Sequence, residues 1–277
     1  MKNKRRRMIN NIIMFIIAVL VTVVMVVPFL WMLGASFKLR SEIFTVPIQW
    51  IPKTFHLDNY YEVLHEINFP VYFWNTAKIT ISITLLQVLT CSMAAYAFSK
   101  LKWPGRDLVF LLYLGTMMIP WHAIMIPQFI IIQRLGLYDN HLSLILTGAF
   151  SVFGVFVLRQ NMVSIPDSIC EAAKIDGCSP FGIYARIILP LTKNGILTLV
   201  VLTFNTVWND YMGPMIYLDS DAKRTIQLGL ATFKRQYDAN YGAIMAGTVI
   251  SLIPVVVIYM IAQRYIVDGI AYSGVKG

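Results

Sequence analysis

Apolar residues gather into long stretches at about residues 12–33, 74–98, 108–132, 142–158, 195–218 and 243–261, separated by shorter polar segments. Most of these stretches reach the roughly 20 residues that a helix needs to cross a hydrocarbon core. The fourth is the shortest and extends toward Met162. Backbone in lipid must satisfy its own hydrogen bonds, so runs of this length predict helices. The pattern therefore predicts an all-α integral membrane chain with six transmembrane helices. One membrane domain spans residues 12–265, after a basic tail at 1–11 and before a tail at 266–277. The third stretch contains Pro120 and Pro127, each of which removes a backbone donor and predicts a kink or break.

Composition agrees with the pattern. The chain is 57% hydrophobic and 13% charged, and its mean hydropathy of +0.65 lies far from that of a soluble domain. The formal charge of +9 is a topology signal rather than a nucleic-acid footprint. Lys2, Lys4, Arg5, Arg6 and Arg7 precede the first stretch and favour a cytoplasmic N-terminus. Alternating from there puts most Lys and Arg inside, most Asp and Glu outside, and both termini in the cytoplasm of a multi-pass cell-membrane protein. The first stretch is too long for a cleaved signal core of 7–15 residues, which predicts a retained anchor. Cys91, in a span, and Cys170 and Cys178, in the inside loop, show no zinc spacing, and Cys170 and Cys178 read as small packing residues.

The polar segment at about 163–193 is unusually well formed for a membrane loop. Its centre, EAAKIDGCSPFGIYARIILP at 171–190, predicts two short helices around a glycine hinge. Asp167 or Ser168 is placed to cap the first, and Ser168 with Glu171 has capping-box spacing. Gly177 offers the left-handed conformation that ends it. Ser179 caps the second, Pro180 fits its first turn, and Pro190 is placed to stop it. Phe181, Tyr184 and Ile188 share a helical face and are expected to anchor that helix on the membrane domain.

The series Glu171-Ala172-Ala173, Gly177 and Ile187-x-Leu189-Pro190 resembles the E-A-A loop of the integral-membrane subunits of ABC importers. Ile165-Pro166 and Ile175-Asp176-Gly177 resemble the carbohydrate branch, whose members move maltose, arabino-oligosaccharides and related sugars. Pro28 to Met32, Ser36-Phe37-Lys38, Asp58-Asn59-Tyr60, Met118-Ile119-Pro120, Ile126-Pro127, Leu135-Gly136-Leu137 and Trp208-Asn209-Asp210 extend the resemblance in order along nearly the whole chain. It implies a type I ABC importer permease fold with a cytoplasmic coupling-helix elbow. The implied partners are a second permease subunit, two ABC ATPase subunits, an extracytoplasmic solute-binding protein and a carbohydrate substrate.

Chemistry-bearing clusters are few. No phosphate loop of the G-x-x-x-x-G-K-[ST] type occurs, so no cofactor is expected in this chain, and ATP and Mg are expected on the partner ATPase. The four histidines are scattered; no catalytic and no metal-ligating residues are expected. The resemblance makes Glu171, Ala172, Ala173, Asp176 and Gly177 the ATPase-coupling residues, and Ser273, Gly274, Val275, Lys276 and Gly277 a tail that contacts the ATPase. Asn205, Trp208, Asn209 and Asp210 are unusual among aliphatic neighbours and form the candidate translocation path, because intramembrane polar groups usually face a bundle interior or a cavity. For Asn205, bonding between helices is the alternative. An ABC permease for a non-sugar solute, and a stand-alone channel or structural membrane protein, are the competing readings.

Overall fold

The computed structural model describes the backbone of residues 2–234 and 239–274, and side chains within 6–234 and 239–263. Among the described residues, three helices are long and apolar enough to cross a membrane alone: α1 (Lys2–Ser36), α3 (Phe69–Ser99) and α12 (Tyr241–Gly274). Three bent pairs supply the remaining crossings if each pair is one span. They are α4 (Arg106–Gly115) with α5 (Trp121–Arg134), α6 (His141–Thr147) with α7 (Val152–Val163), and α9 (Pro180–Leu191) with α10 (Lys193–Trp208). The count of six matches the hydropathy pattern. α1 begins within the basic tail and α12 continues to Gly274, so neither tail is set off by a helix end.

The chain forms two compact units. The first joins residues 1–69 to 229–252. In it, Asn59 of α2 (Asp58–Glu66) donates to the carbonyls of Ser36 (3.0 Å) and Lys38 (2.8 Å), satisfying the open end of α1. Gly242 permits the close approach of α12, since a Cβ there would lie 2.3 Å from the Asn59 amide oxygen.

The second unit, residues 70–228 with 253–277, holds most of the core. α7 and α10 pack closely because each has a glycine at the crossing. A Cβ at Gly154 would lie 2.9 Å from Leu199, and one at Gly195 would lie 2.8 Å from Asn161.

Broken helices free backbone groups that lipid cannot satisfy, and polar side chains of α3 answer one break. Between α6 and α7, the Gly148 carbonyl accepts from Gln87 and the Ala149 carbonyl from Thr90, both at 2.8 Å. Thr203 donates to the Gln87 side-chain oxygen at 2.8 Å, fixing which end of that amide faces the break. Between α4 and α5 the bend is 95°. Pro120 stands extended at the N-cap of α5, where its missing donor forfeits no intrahelical bond, while Pro127 lies inside α5.

The fifth predicted stretch differs. α10 stops at Trp208, not Leu218, and a turn at Asn209–Tyr211 leads into α11 (Met212–Tyr217). The reason is local. The Asp210 carboxylate takes the Gly213 amide at 3.1 Å, and Pro214 follows. Residues 219–226 fold back onto α3: Tyr72 donates to Asp221 (2.6 Å), and Asn75 to the carbonyls of Ala222 and Arg224.

Candidate functional site

The segment at 163–193 folds as a bihelical elbow of α8 (Asp167–Ile175) and α9. α8 ends in a Schellman turn. The Cys178 amide donates to the Ala173 carbonyl (2.9 Å) and the Gly177 amide to the Lys174 carbonyl (3.0 Å). Gly177 takes φ +81°, with nothing within 4 Å of the position a Cβ would occupy. Its glycine is required by backbone conformation, not by crowding. Ser179 caps α9, accepting from Gly182 at 3.1 Å, with Pro180 in the first turn.

Three expectations about this segment are corrected. α8 receives no side-chain cap: Pro166 holds the cap position, Asp167 is already helical, and no capping box forms between Ser168 and Glu171. The Asp167 carboxylate turns instead to Lys100, at 2.7 Å. That contact holds its titration below the usual carboxylate range, through the hydrogen bond first and the opposite charge second. Pro190 does not stop α9, which continues to Leu191. A widened π turn at Tyr184–Ile188 precedes it, closed by the Leu189 amide on the Tyr184 carbonyl, and this accommodates the ring and missing donor of Pro190. Phe181 does not anchor α9, being 67% exposed; Ile183, fully buried, joins Tyr184 and Ile188 instead.

The elbow is fastened along its inner side. Cys170 and Ala173 of α8, with Ile183, Tyr184 and Ile188 of α9, share one core with Cys91, Ala95 and Tyr96 of α3 and with Phe110, Leu158 and Leu199. Tyr184 and Ser92 hydroxyls meet at 2.8 Å, and Tyr96 donates to the Pro180 carbonyl at 3.0 Å. Lys100, its side chain only 3% exposed, also donates to the Ile165 carbonyl. Arg159 bonds the Phe98 carbonyl at 3.1 Å and lies over the Phe110 ring at 4.2 Å. Lys100, Tyr96 and Ser92 were not foreseen. Their polar character inside or beside an apolar stretch was visible, but their partners lie over 60 residues away.

The outer side is bare. Ser168, Glu171, Ala172 and Ile175 occupy one helical stripe (i, i+3, i+4, i+7), and all are exposed. Ile175 is 87% exposed, and Asp176 and Gly177 continue the surface. Of the five residues singled out here, only Ala173 is buried.

Asn205, Trp208, Asn209 and Asp210 do not form one cluster. Asn209 donates to the Asn205 carbonyl (2.9 Å) and side-chain oxygen (3.1 Å) on an exposed face of α10. Trp208 is core, 2% exposed, stacked on Phe204 at 5.3 Å and edge-on to Phe73 at 5.4 Å. Its aromatic partners one turn back and on α3 outweigh any call from solvent. Asp210 alone lines a cavity of about 470 Å³ within the second unit. Val275, Lys276 and Gly277 lie outside the described residues, and Ser273 and Gly274 are described only as the backbone of the last turn of α12.

Residues 87–272 match the family of binding-protein-dependent transport system inner membrane components. The arabinooligosaccharides transport system permease protein AraQ of Halalkalibacterium halodurans is 34% identical over 91% of each chain. The lactose transport system permease protein LacG of Rhizobium radiobacter is 30% identical over 97% of each. Among solved structures, a chain of a bacterial ABC transporter involved in the import of the acidic polysaccharide alginate superposes with a TM-score of 0.83. It is 25% identical, covering 95% of this chain and 98% of that one. With its family match, its near full-length relatives and its helical architecture, this chain belongs to the binding-protein-dependent transport system inner membrane components, the permease subunits of ABC importers.

Proposed function

We propose that the chain is the permease subunit of a carbohydrate importer and that its bihelical elbow receives the motion of a partner ATPase. The single observation carrying this is the two-sidedness of the elbow. Its inner side is locked into α3 by hydroxyl contacts and a shared core, while its outer stripe presents Glu171, Ala172 and the almost wholly exposed Ile175. An exposed apolar residue flanked by carboxylates suits a docking groove with a basic rim: Ile175 seats by burial, and Glu171 and Asp176 set register. Force applied at that stripe passes through Tyr184 and Ser92 into a helix long enough to span the bilayer.

In this reading the chain hydrolyses no ATP. Nucleotide and Mg bind the ATPase pair, whose closure favours one conformation of two permease subunits over the other. A solute-binding protein delivers the sugar on the opposite side, both termini lie in the cytoplasm, and residues 273–277 extend toward the ATPase. The sugar assignment draws on the names of the relatives. The experiment is affinity purification of the chain from its native membrane, followed by uptake of labelled arabinotriose, lactose and maltotriose into vesicles. An ATPase and a second permease should co-purify and one sugar should accumulate only with ATP. A chain that recruits no ATPase, or carries solute without one, contradicts the reading and favours a channel.

A further inference from the structure

A second cavity, of about 650 Å³, opens at the foot of the elbow, between the turn joining α3 to α4, the end of α7 and the start of α8. Among the described residues, six charged side chains line it: Lys100, Lys102, Arg106 and Arg159 against Asp107 and Asp167. Both carboxylates already face cations of the same wall. Asp107 meets Arg106 at 3.0 Å and Arg159 at 3.6 Å, and Asp167 meets Lys100 at 2.7 Å. Four cations against two carboxylates leave two positive charges unmatched. Lys100, its side chain 3% exposed, is committed to α8 and supplies field rather than contact. Lys102, exposed, and Arg106, with a side chain 26% exposed, are the cations a guest can reach.

We infer that this cavity holds the phosphodiester of an anionic phospholipid from the cytoplasmic leaflet, with an acyl chain lying along α4. The inference goes beyond the transport function proposed above and rests only on its cytoplasmic placing of the elbow. The cavity is continuous with an apolar surface. Leu108 lines it, and Leu111 and Leu112 follow at helical spacing, all three 63–66% exposed. The ten residues of α4 rise by about 15 Å, the depth of one leaflet of a roughly 30 Å core. A soluble anion would engage the cations and leave that apolar face bare; a phospholipid answers both. Trp103 lines the cavity too, its indole N–H held by the Ala97 carbonyl at 3.2 Å, and its amphipathic ring suits headgroup depth. Basic pockets between spans on the cytoplasmic side are suited to anionic headgroups. A zwitterionic headgroup carries its own ammonium, which the unmatched cations repel, so the charges select an anionic lipid.

The test uses the complete importer in vesicles of phosphatidylglycerol and phosphatidylcholine, one or the other carrying a diazirine in its acyl chain. Peptide mass spectrometry maps the label, and the exposed face of α5 around Ile126 and Ile131 is the reference. Relative to it, phosphatidylglycerol should label α4 about 25-fold more than phosphatidylcholine does, at about fivefold for each unmatched charge. Lys102→Gln should cut that preference about fivefold and Lys102→Glu further, and both leave the packing intact because Lys102 is exposed. Excess inorganic phosphate should not compete. Equal labelling by the two lipids, or a preference unchanged in both variants, overturns the site. Loss of the preference to inorganic phosphate makes the guest a soluble anion and overturns the lipid. An α4 that neither lipid labels is covered by a partner subunit, which overturns it as well. Labelling of Lys102→Cys from outside intact cells by an impermeant maleimide overturns the cytoplasmic placing of the elbow and the inference with it, whereas the other failures leave that placing standing.

Discussion

The hydroxyls of Tyr184 and Ser92 stand 2.8 Å apart, joining the elbow to the C-terminal third of α3 through two buried side chains. Ser92 also donates to the Val88 carbonyl, so Tyr184 is the donor of the pair. Removing only that donor, in Tyr184→Phe, should destabilise the chain by about 1 kcal/mol. ATP-driven uptake should fall further than a loss of folded protein accounts for, because the contact lies on the path of force. Thermal unfolding in detergent and uptake normalised to folded importer check the two parts.

Gly177 tests the hinge without steric interference. At φ +81° an L residue costs about 1–2 kcal/mol, and the space beside it is open. Gly177→Ala and Gly177→Leu should therefore be destabilising by similar amounts, and Gly177→Asn by less, since asparagine tolerates the left-handed region. A graded loss with side-chain size would show that bulk, not backbone conformation, governs the site.

Glu171→Ala and Ile175→Asp alter exposed positions and should leave the unfolding temperature of the isolated chain unchanged. Both should reduce the ATPase recovered with it on affinity purification, Ile175→Asp the more, because it replaces buried apolar contact with a charge that must be desolvated. Equal recovery from wild type and both variants would remove this stripe from the interface.

Gln87→Leu should expose the cost of the break between α6 and α7. The Gly148 carbonyl loses its donor and Thr203 its acceptor, a penalty of about 1–3 kcal/mol for each buried group left unpaired. Thr90→Val removes a single donor, which Ala149 shares with the Leu86 carbonyl of α3 itself, and should cost less. Unfolding midpoints of the two variants give the order.

Asp139 predicts an acid dependence of the 219–226 segment. The Ser220 hydroxyl, then the Asp219 amide and Lys223, hold its carboxyl well below the usual range. A folded-state value lowered in this way contributes stability that is complete above the unfolded value near 3.9 and is lost as pH falls through the folded value. The stability gap between wild type and Asp139→Asn should thus be constant from pH 7 to about pH 5 and narrow below about pH 4. A gap that closes near neutrality would assign the dependence to another group.

Six spans were legible because lipid demands long apolar helices, and the elbow was legible because Gly177, Ser179 and Pro180 each serve one local turn. What escaped the sequence was set by distant partners. Asp167 follows Lys100 rather than capping its own helix, since a cation 67 residues earlier is brought to 2.7 Å. Phe181 stands exposed in the first turn of α9, and Ile183, not Phe181, joins Tyr184 in the core. Asn205, Trp208, Asn209 and Asp210 look like one polar group in sequence, yet three directions of a terminating helix send them to a surface, a core and a cavity.

The central claim, that the elbow receives the ATPase, is tested most directly by a photo-crosslinking amino acid at Ile175 in cells expressing the whole importer. Irradiation should join this chain to the ATPase in high yield, with the yield changing between ATP-bound and nucleotide-free states. No ATPase adduct in either state, with residue 175 instead labelled by a membrane-impermeant reagent added outside the cell, would contradict it.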